Sequence, residues 1–424
     1  MKTYAAALML LSLQATLPAQ PALPPATIVL QPDRVFDGEQ MHAGWAVVVR
    51  GDRIDAAGPV ASLTVPAGTR TIALKGTTLM PGMIEGHSHL LLHPYNETVW
   101  NDQVLREPLA LRVARATNHA RATLMAGITT VRDLGTEGAQ YADVGLRQAI
   151  NEGIIPGPRM LVAGPAMVVT GSYAPKGFAP EWSVPQGADE ADGLDGVVRA
   201  ARNQIAHGVD LIKIYADYRW GPNGETRPGF TLGEIQRIVE AANNSGRPVV
   251  AHSSTPQGMR NAIMGGVDTI EHGDDGTPEI WKLMVEKNVA FCPTVAAGDA
   301  TAQYAGWKKG VDPEPARIQR KRQTFKAALD AGVKMCFGGD VGVFAHGDNV
   351  RELEIMVDYG MSPAAALVAA TSGNAAYFRQ AERIGRVKPG LFADLIAVDG
   401  DPSTNVKALR QVKFVMKAGK IYKE

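Results

Sequence analysis

Several short apolar runs in this 424-residue chain carry, or lead into, a side chain that can bind a metal ion. In chain order these side chains are His87 and His89, Lys213, His252, His272 and Asp340. Stretches of helical length separate the runs, and strands that alternate with helices are typical of a parallel sheet. In a (β/α)8 barrel the chemistry lies at the carboxyl ends of the strands, where these side chains would meet. The pattern therefore predicts an α/β fold built around a TIM-like (β/α)8 barrel.

His87 and His89 follow the apolar run 79–84. Residues i and i+2 of a strand project to the same face, so two imidazoles at this spacing can bind one metal ion together. The motif alone also fits two ordinary histidines near a turn. Because further ligand-type residues follow similar runs, we interpret both histidines as metal ligands.

Lys213 is the unusual member of the set, since it lies inside the apolar run 211–215. Metal ions would repel an ammonium group, and burial favours the neutral amine. A neutral amine can add carbon dioxide and become a carbamate, which is an anionic bridge for two ions about 3.5–4 Å apart. The alternative is a lysine that extends from a strand end to solvent. We favour the carbamate because Lys213 shares its register with the other candidate ligands.

Longer stretches of the chain resemble the amidohydrolase superfamily, in its binuclear subtype with a carboxylated lysine. They are GDRI at 51–54, PGMIEGHSH at 81–89, GITTVRD at 127–133 and KPGLFADL at 388–395. Within the superfamily the chain is most similar to the Xaa-Pro dipeptidase and carboxypeptidase-like branch. That branch includes bacterial amidohydrolases that split ochratoxin A.

The resemblance implies a metal site and a mechanism. His87, His89 and Asp340 would bind one zinc ion, and His252 and His272 a second, with carboxylated Lys213 and a hydroxide between them. Asp340 would take the hydroxide proton and deliver it to the leaving amine, so Asp340 and Lys213 are the candidate catalytic residues. The implied reaction is cleavage of an amide bond to a C-terminal amino acid, by a carboxypeptidase, a dipeptidase or an N-acyl amino acid hydrolase. Conversion of ochratoxin A to ochratoxin α and phenylalanine is one example.

Candidate substrate contacts come from residues near the strand ends. Tyr215 shares a face with Lys213, and Arg219 or Arg227 in the next loop could bind a carboxylate. His346 lies in a His-Gly element that is common in this branch. Branch members often carry a histidine after the Thr-Gly at 170–171, where this chain has Ser172-Tyr173. Tyr173 would take that position and is therefore included, and the dipeptide specificity of the branch is not assumed for this chain.

Two other readings compete with amide cleavage. A lactonase or a cyclic-amide hydrolase could use the same metal site, whereas Lys213 and the Ser253-Ser254 that follow His252 argue against a deaminase. A non-catalytic metal-binding or solute-binding protein would need a missing ligand, and the sequence contains the whole set.

Composition narrows the possible partners. Lys+Arg and Asp+Glu are balanced at 43 each, so neither nucleic acid nor an anionic membrane surface is expected. A small-molecule amide or dipeptide is the expected ligand, and the resemblance suggests a homo-oligomer, such as an octamer. We expect Cys292 and Cys336 to be buried free thiols rather than a disulfide.

The chain divides into regions. Lys2, the short apolar segment 5–13 and the prolines that follow it predict a signal peptide at 1–22, and hence a periplasmic or secreted protein. Alternating β-type runs at 23–78 and 377–424 predict one β-sandwich built from both termini, around a barrel at 79–376. Barrel strands are expected to start near Leu79, Ile128, Met160, Leu211, Pro248, Thr269, Ala290 and Lys334. Apolar spacing predicts helices at 109–125 and 316–330, and long loops at 164–192, 217–230 and 296–315 should shape the pocket.

Overall fold

The computed structural model describes residues 26–424, so the expected signal peptide lies outside the described residues. Within that range no helix has the length and apolar character needed to cross a membrane. The described chain opens with a β-rich segment made of β1 (Thr27–Phe36), β2 (Met41–Ala43), β3 (Trp45–Arg50), β4 (Arg53–Pro59), a 3-10 turn (Val60–Ser62) and β5 (Arg70–Pro81).

The middle of the chain alternates strands and helices, as the sequence predicts. Its elements are β6 (Met83–Ser88), α1 (Trp100–Arg106), α2 (Leu109–Met125), β7 (Ile128–Asp133), α3 (Ala142–Asn151), β8 (Arg159–Val162), β9 (Met167–Val168), β10 (Asp189–Glu190), α4 (Gly193–Ala206), β11 (Ile212–Tyr215), β12 (Asp217–Arg219), β13 (Thr226–Pro228), α5 (Leu232–Asn243), β14 (Val249–Ser253), α6 (Pro256–Gly265), β15 (Thr269–His272), α7 (Pro278–Lys287), β16 (Ala290–Cys292), α8 (Val295–Tyr304), α9 (Ala316–Asp330), α10 (Val350–Asp358), α11 (Pro363–Val368), a π-helical turn (Ala369–Gly373) and α12 (Asn374–Tyr377).

The chain ends with β17 (Leu395–Asp399), a 3-10 turn (Val406–Arg410), β18 (Val412–Lys417) and β19 (Lys420–Lys423). These strands join the N-terminal ones in one sheet of order β19-β18-β17-β5-β1-β3-β4, with β2 paired to β1. The central contact is the antiparallel pairing of β17 with β5, in which Leu395 faces Pro81. Alternate residues such as Leu30, Val47 and Phe414 bury one side of the sheet. The expected α/β class, with a β-rich domain built from both termini, is confirmed.

The junction between the two domains lies at Gly82. β5 continues to Pro81, past the boundary expected at residue 78, because Leu79 and Met80 pair with β17. The first barrel strand, β6, starts at Met83. A Cβ atom at Gly82 would overlap the Thr129 side chain, so only glycine fits where the chain passes from one sheet to the other.

Parallel ladders form the barrel wall. One joins β6, β7 and β8, and the other joins β9, β11, β14, β15 and β16. The prediction of a regular strand near Lys334 is wrong, because the residues there form only isolated β-bridges to β16 and to Ser88. This closing segment (334–341) runs so close to β6 that a Cβ atom at Gly338 would lie 3.0 Å from the His87 nitrogen, and Asp340 has φ of 63°. Backbone hydrogen bonds such as Gly86 N–H to Phe337 O still close the barrel.

Two helices have the predicted bounds. α2 and α9 span 109–125 and 316–330, and both bury residues at helical spacing, such as Ala116, Ala120 and Leu124 in α2. Of the three expected loops, 217–230 contains the β12–β13 hairpin. The prediction of a loop at 296–315 is wrong for its first part, because residues 295–304 form α8, which buries small apolar side chains.

Cys292 and Cys336 form a disulfide, so the expectation of free thiols is wrong. Cys292 ends β16, and the neighbouring closing segment carries Cys336 at a Cα–Cα distance of 4.5 Å. The pairing of Phe291 with Met335 sets this register, which the sequence of an irregular segment does not define.

We expect the double variant Cys292→Ala/Cys336→Ala to lose up to about 4 kcal/mol of unfolding free energy, because the bond closes a long loop in the unfolded chain. Urea unfolding of wild type and variant measures the difference. Thiol titration of unreduced wild type in denaturant should find no reactive thiol. Two reactive thiols per chain would contradict the disulfide.

Candidate active site

The candidate ligands meet at the carboxyl ends of the barrel strands. His87 lies on β6, Lys213 on β11, His252 on β14 and His272 on β15. The imidazole of His272 lies 5.1 Å from that of His87 and 4.3 Å from that of His252, measured between ring centroids. Asp340, at the end of the closing segment, completes the group.

Hydrogen bonds orient three of the histidines in the same way. His87 Nδ1 donates to Glu271 Oε2 at 2.8 Å, and His89 Nδ1 donates to the Gly135 carbonyl at 2.8 Å. His272 Nδ1 lies 2.7 Å from Thr294 Oγ1, whose own proton goes to the Pro293 carbonyl. In the neutral form of each ring Nδ1 therefore carries the proton, and Nε2 then presents its lone pair to a metal ion.

A carboxylate faces two of these free nitrogens. Asp340 Oδ1 lies 3.3 Å from His89 Nε2 and 3.7 Å from His87 Nε2. Burial alone would raise the pKa of Asp340, but the charges of His87 and His89 lower it to about 2. Burial lowers the pKa of His89, whereas contact with Asp340 raises it to about 9. A cation is therefore stabilised between His89 and Asp340, as a metal site requires.

Ligand atoms of His87, His272 and Asp340 all lie within 4.8 Å of one another, a spacing at which bound metal ions could contact all three residues. Burial, together with the charge of Lys213, lowers the pKa of His87 to about 4. The pKa of His252 falls well below its ordinary value for the same two reasons. These imidazoles are therefore neutral near pH 7, which is the form that binds metal ions.

Lys213 is the unexpected residue of the set, because an ammonium group would be unfavourable beside bound metal cations. Its side chain is 1% exposed, and Nζ has no hydrogen-bond partner within residues 26–424. Burial lowers the pKa of its amine to about 8, although Glu271 and Asp340 oppose this shift. An ammonium group with three unused donors is costly in such a place, whereas a carboxylated amine would present anionic oxygens to bound cations. The donor set therefore fits a metal centre.

Glu271 and Arg132 support the site from within the barrel, and sequence reasoning missed both. Glu271 accepts from His87 through one oxygen and from Arg132 at 2.7 Å through the other. The Arg132 guanidinium lies over the Phe378 ring at 4.0 Å. Two features of the sequence could have identified these residues: a glutamate next to His272, and an arginine within the strand β7. Charged side chains that are buried in this way are usually paired with one another.

A cavity of about 500 Å³ opens above the candidate ligands. Of the expected substrate contacts, Tyr173, Tyr215 and Arg219 line it. His346 does not, because its Nε2 donates to the Leu92 carbonyl at 2.9 Å and its ring stacks on His119. Arg227 lies outside the wall and pairs with Glu225. Several other residues line the cavity although no sequence motif singles them out, namely Tyr95, Glu137, Asp274, Arg317 and Arg320.

We expect Thr294→Val to weaken metal binding about 10- to 100-fold, because His272 Nδ1 would lose the partner that fixes its ring. A chelator-competition titration measures the dissociation constant. Thr301→Val is the matched control, since Thr301 also lines the cavity but donates to the Ala297 carbonyl. Equal affinity in the Thr294 variant and wild type would show that Thr294 does not orient His272 for metal binding.

Comparisons with known proteins assign the chain to a family. Residues 78–422 match the Amidohydrolase family. The chain is 29% identical to ochratoxinase from Aspergillus niger over 376 residues, 81% of this chain and 75% of that protein. Its structure resembles a Xaa-Pro dipeptidase with bound methionine in the active site (TM-score 0.82, 30% identity, 94% of this chain and 100% of that one). The crystal structure of A. niger ochratoxinase is also similar (TM-score 0.79, 27% identity, 94% and 96% covered). The chain therefore belongs to the amidohydrolase family and is a hydrolase that acts on amide bonds.

Proposed function

We propose that this protein is a binuclear metal-dependent hydrolase that cleaves the amide bond to a C-terminal amino acid. The observation that carries the proposal is the buried Lys213 amine, which lacks a hydrogen-bond partner in the described chain and lies among imidazoles with free Nε2 atoms. In this proposal Lys213 is carboxylated.

Two divalent ions fit the remaining donors. His87, His89 and Asp340 would hold one ion and His252 and His272 the other, with carboxylated Lys213 between them. Imidazole and carboxylate donors suit zinc. When bound, the ions would lower the pKa of a shared water molecule and polarise the scissile carbonyl.

Asp340 is the proposed proton carrier. Its Oδ1 lies within 3.7 Å of Nε2 of both His87 and His89, and its side chain lines the cavity, so it would face both a water molecule held at these ligands and a substrate in the cavity. The carboxylate would accept the water proton and then donate it to the leaving amine. Positive charge nearby keeps this carboxylate ionised before attack, which is the form that a base needs.

The cavity supports a substrate with a C-terminal carboxylate. Arg219 and Arg317 line the wall, and neither makes an ion pair within residues 26–424. A guanidinium can bind a carboxylate through two parallel hydrogen bonds. A structural relative binds methionine, a free amino acid, in its active site. We infer that dipeptides or N-acyl amino acids are the substrates, with ochratoxin A as one candidate.

We expect zinc-loaded wild type to release a free C-terminal amino acid from dipeptides or N-acyl amino acids, and Lys213→Ala to be at least ~10²-fold slower, as is usual when a charge-stabilising group is lost. The variant should also bind fewer than two metal ions per chain. Lys334→Ala is the matched control, because the Lys334 amine lies at the surface and hydrogen-bonds Asn288.

Two outcomes would contradict the proposal. Turnover of lactones or cyclic imides without any linear amide would leave the metal site but exclude the reaction. Full metal binding without turnover of any of these compounds would instead indicate a binding protein.

A further inference from the structure

Glu137 lies at the cavity wall and has an unusual backbone conformation. It follows β7 in a turn between Gly135 and Gly138, and its φ of 50° is in the left-handed region. A non-glycine residue in that region is strained. Such strain persists where the surrounding structure holds the residue in place, and it is common at active sites and ligand-binding sites. The side chain is buried yet lines the cavity.

The two carboxylate oxygens of Glu137 differ. Oε2 accepts hydrogen bonds from Tyr173 Oη at 2.6 Å and from Trp100 Nε1 at 2.8 Å. Oε1 accepts none from the described residues, and it lies 3.9 Å from Nδ1 of His89, which donates to Gly135 instead. One oxygen thus fixes the carboxylate, and the other remains available beside the candidate metal ligands.

Tyrosine rings surround this carboxylate. Tyr173 is central, with ring centroids 4.7 Å from Tyr215 and 4.8 Å from Tyr218, and Tyr95 completes the wall. Burial and the negative charge of Glu137 raise the pKa of Tyr173, so this phenol stays neutral. Neutral aromatic faces attract cations, and together with a carboxylate they form the kind of site that holds an ammonium group.

The other charged groups of the cavity indicate which end of a substrate Glu137 and the tyrosines around it would bind. Arg320 pairs with Asp275 and Lys321 with Asp274, so these charges are already matched. Arg219 already lies over the Tyr218 ring at 5.7 Å, whereas Arg317 makes no ion pair within residues 26–424 and could bind a carboxylate, which Glu137 would repel. The Glu137 wall therefore suits the opposite end of the substrate.

We propose that Glu137 and the wall formed by Tyr95, Tyr173, Tyr215 and Tyr218 bind the α-ammonium group of a dipeptide, and so select dipeptides over N-acyl amino acids. This inference rests on the proposed amide cleavage. The α-ammonium is attached to the carbon next to the scissile carbonyl, and Glu137 lies beside His89, so the two positions match. Glu137 is thus a specificity-determining residue of the site.

The test compares alanyl-phenylalanine with propanoyl-phenylalanine, which lacks only the amino group. We expect wild type to prefer the dipeptide, and Glu137→Gln to lower kcat/KM for the dipeptide roughly 10- to 100-fold, the usual effect of losing a charged hydrogen-bond partner. Its kcat/KM for propanoyl-phenylalanine should change little. The glutamine oxygen can still accept from Tyr173 and Trp100, so the turn should keep its conformation.

Glu240→Gln is the matched control, because Glu240 is exposed on α5 and pairs only with Arg237. It should leave the ratio of the two kcat/KM values unchanged. An equal ratio in wild type and Glu137→Gln would overturn the inference, as would a wild-type preference for propanoyl-phenylalanine. If neither compound is cleaved, the proposed amide cleavage itself fails, and the two failures are thereby distinguished.

Discussion

The site is organised around one costly arrangement, a lysine amine buried among imidazoles with no hydrogen-bond partner in residues 26–424. Moving an ammonium group out of water without such partners costs more free energy than most single interactions contribute to stability. Burial shifts the Lys213 amine toward its neutral form, and the neutral form is the one that reacts with carbon dioxide. A carbamate at this position would supply the negative charge that bound metal ions need, so the same burial that disfavours an ammonium group would favour a metal centre.

The rest of the site depends on groups that hold the ligands still. Glu271, fixed by Arg132, orients His87, and Thr294 orients His272. The closing segment that presents Asp340 lacks a regular ladder, and other contacts compensate. The Cys292–Cys336 disulfide ties it to β16, and Asn374 hydrogen-bonds the Phe337 carbonyl. These contacts hold the bent segment against β16, so that Asp340 lies beside His87 and His89.

Much of this structure could be predicted from local sequence pattern. Apolar runs followed by ligand-type side chains identified the barrel and the candidate ligands, because strand ends in a parallel barrel converge wherever they lie in the chain. Features that depend on contacts between distant segments were missed. The disulfide needs the register of an irregular segment against β16, and the position of Glu137 needs a strained turn that Tyr173 and Trp100 stabilise from other loops. His346 was misplaced because its loop turns toward α2, where it stacks on His119.

Carbon-13 NMR of zinc-loaded protein prepared with labelled bicarbonate detects the carbamate carbon itself and so reports directly on the chemical state of Lys213. We expect one carbamate signal per chain that disappears in Lys213→Ala and disappears together with the metal ions on chelation. A fully metal-loaded wild-type protein without that signal would show that Lys213 remains a free amine, and a binuclear centre built on its carbamate would then be excluded.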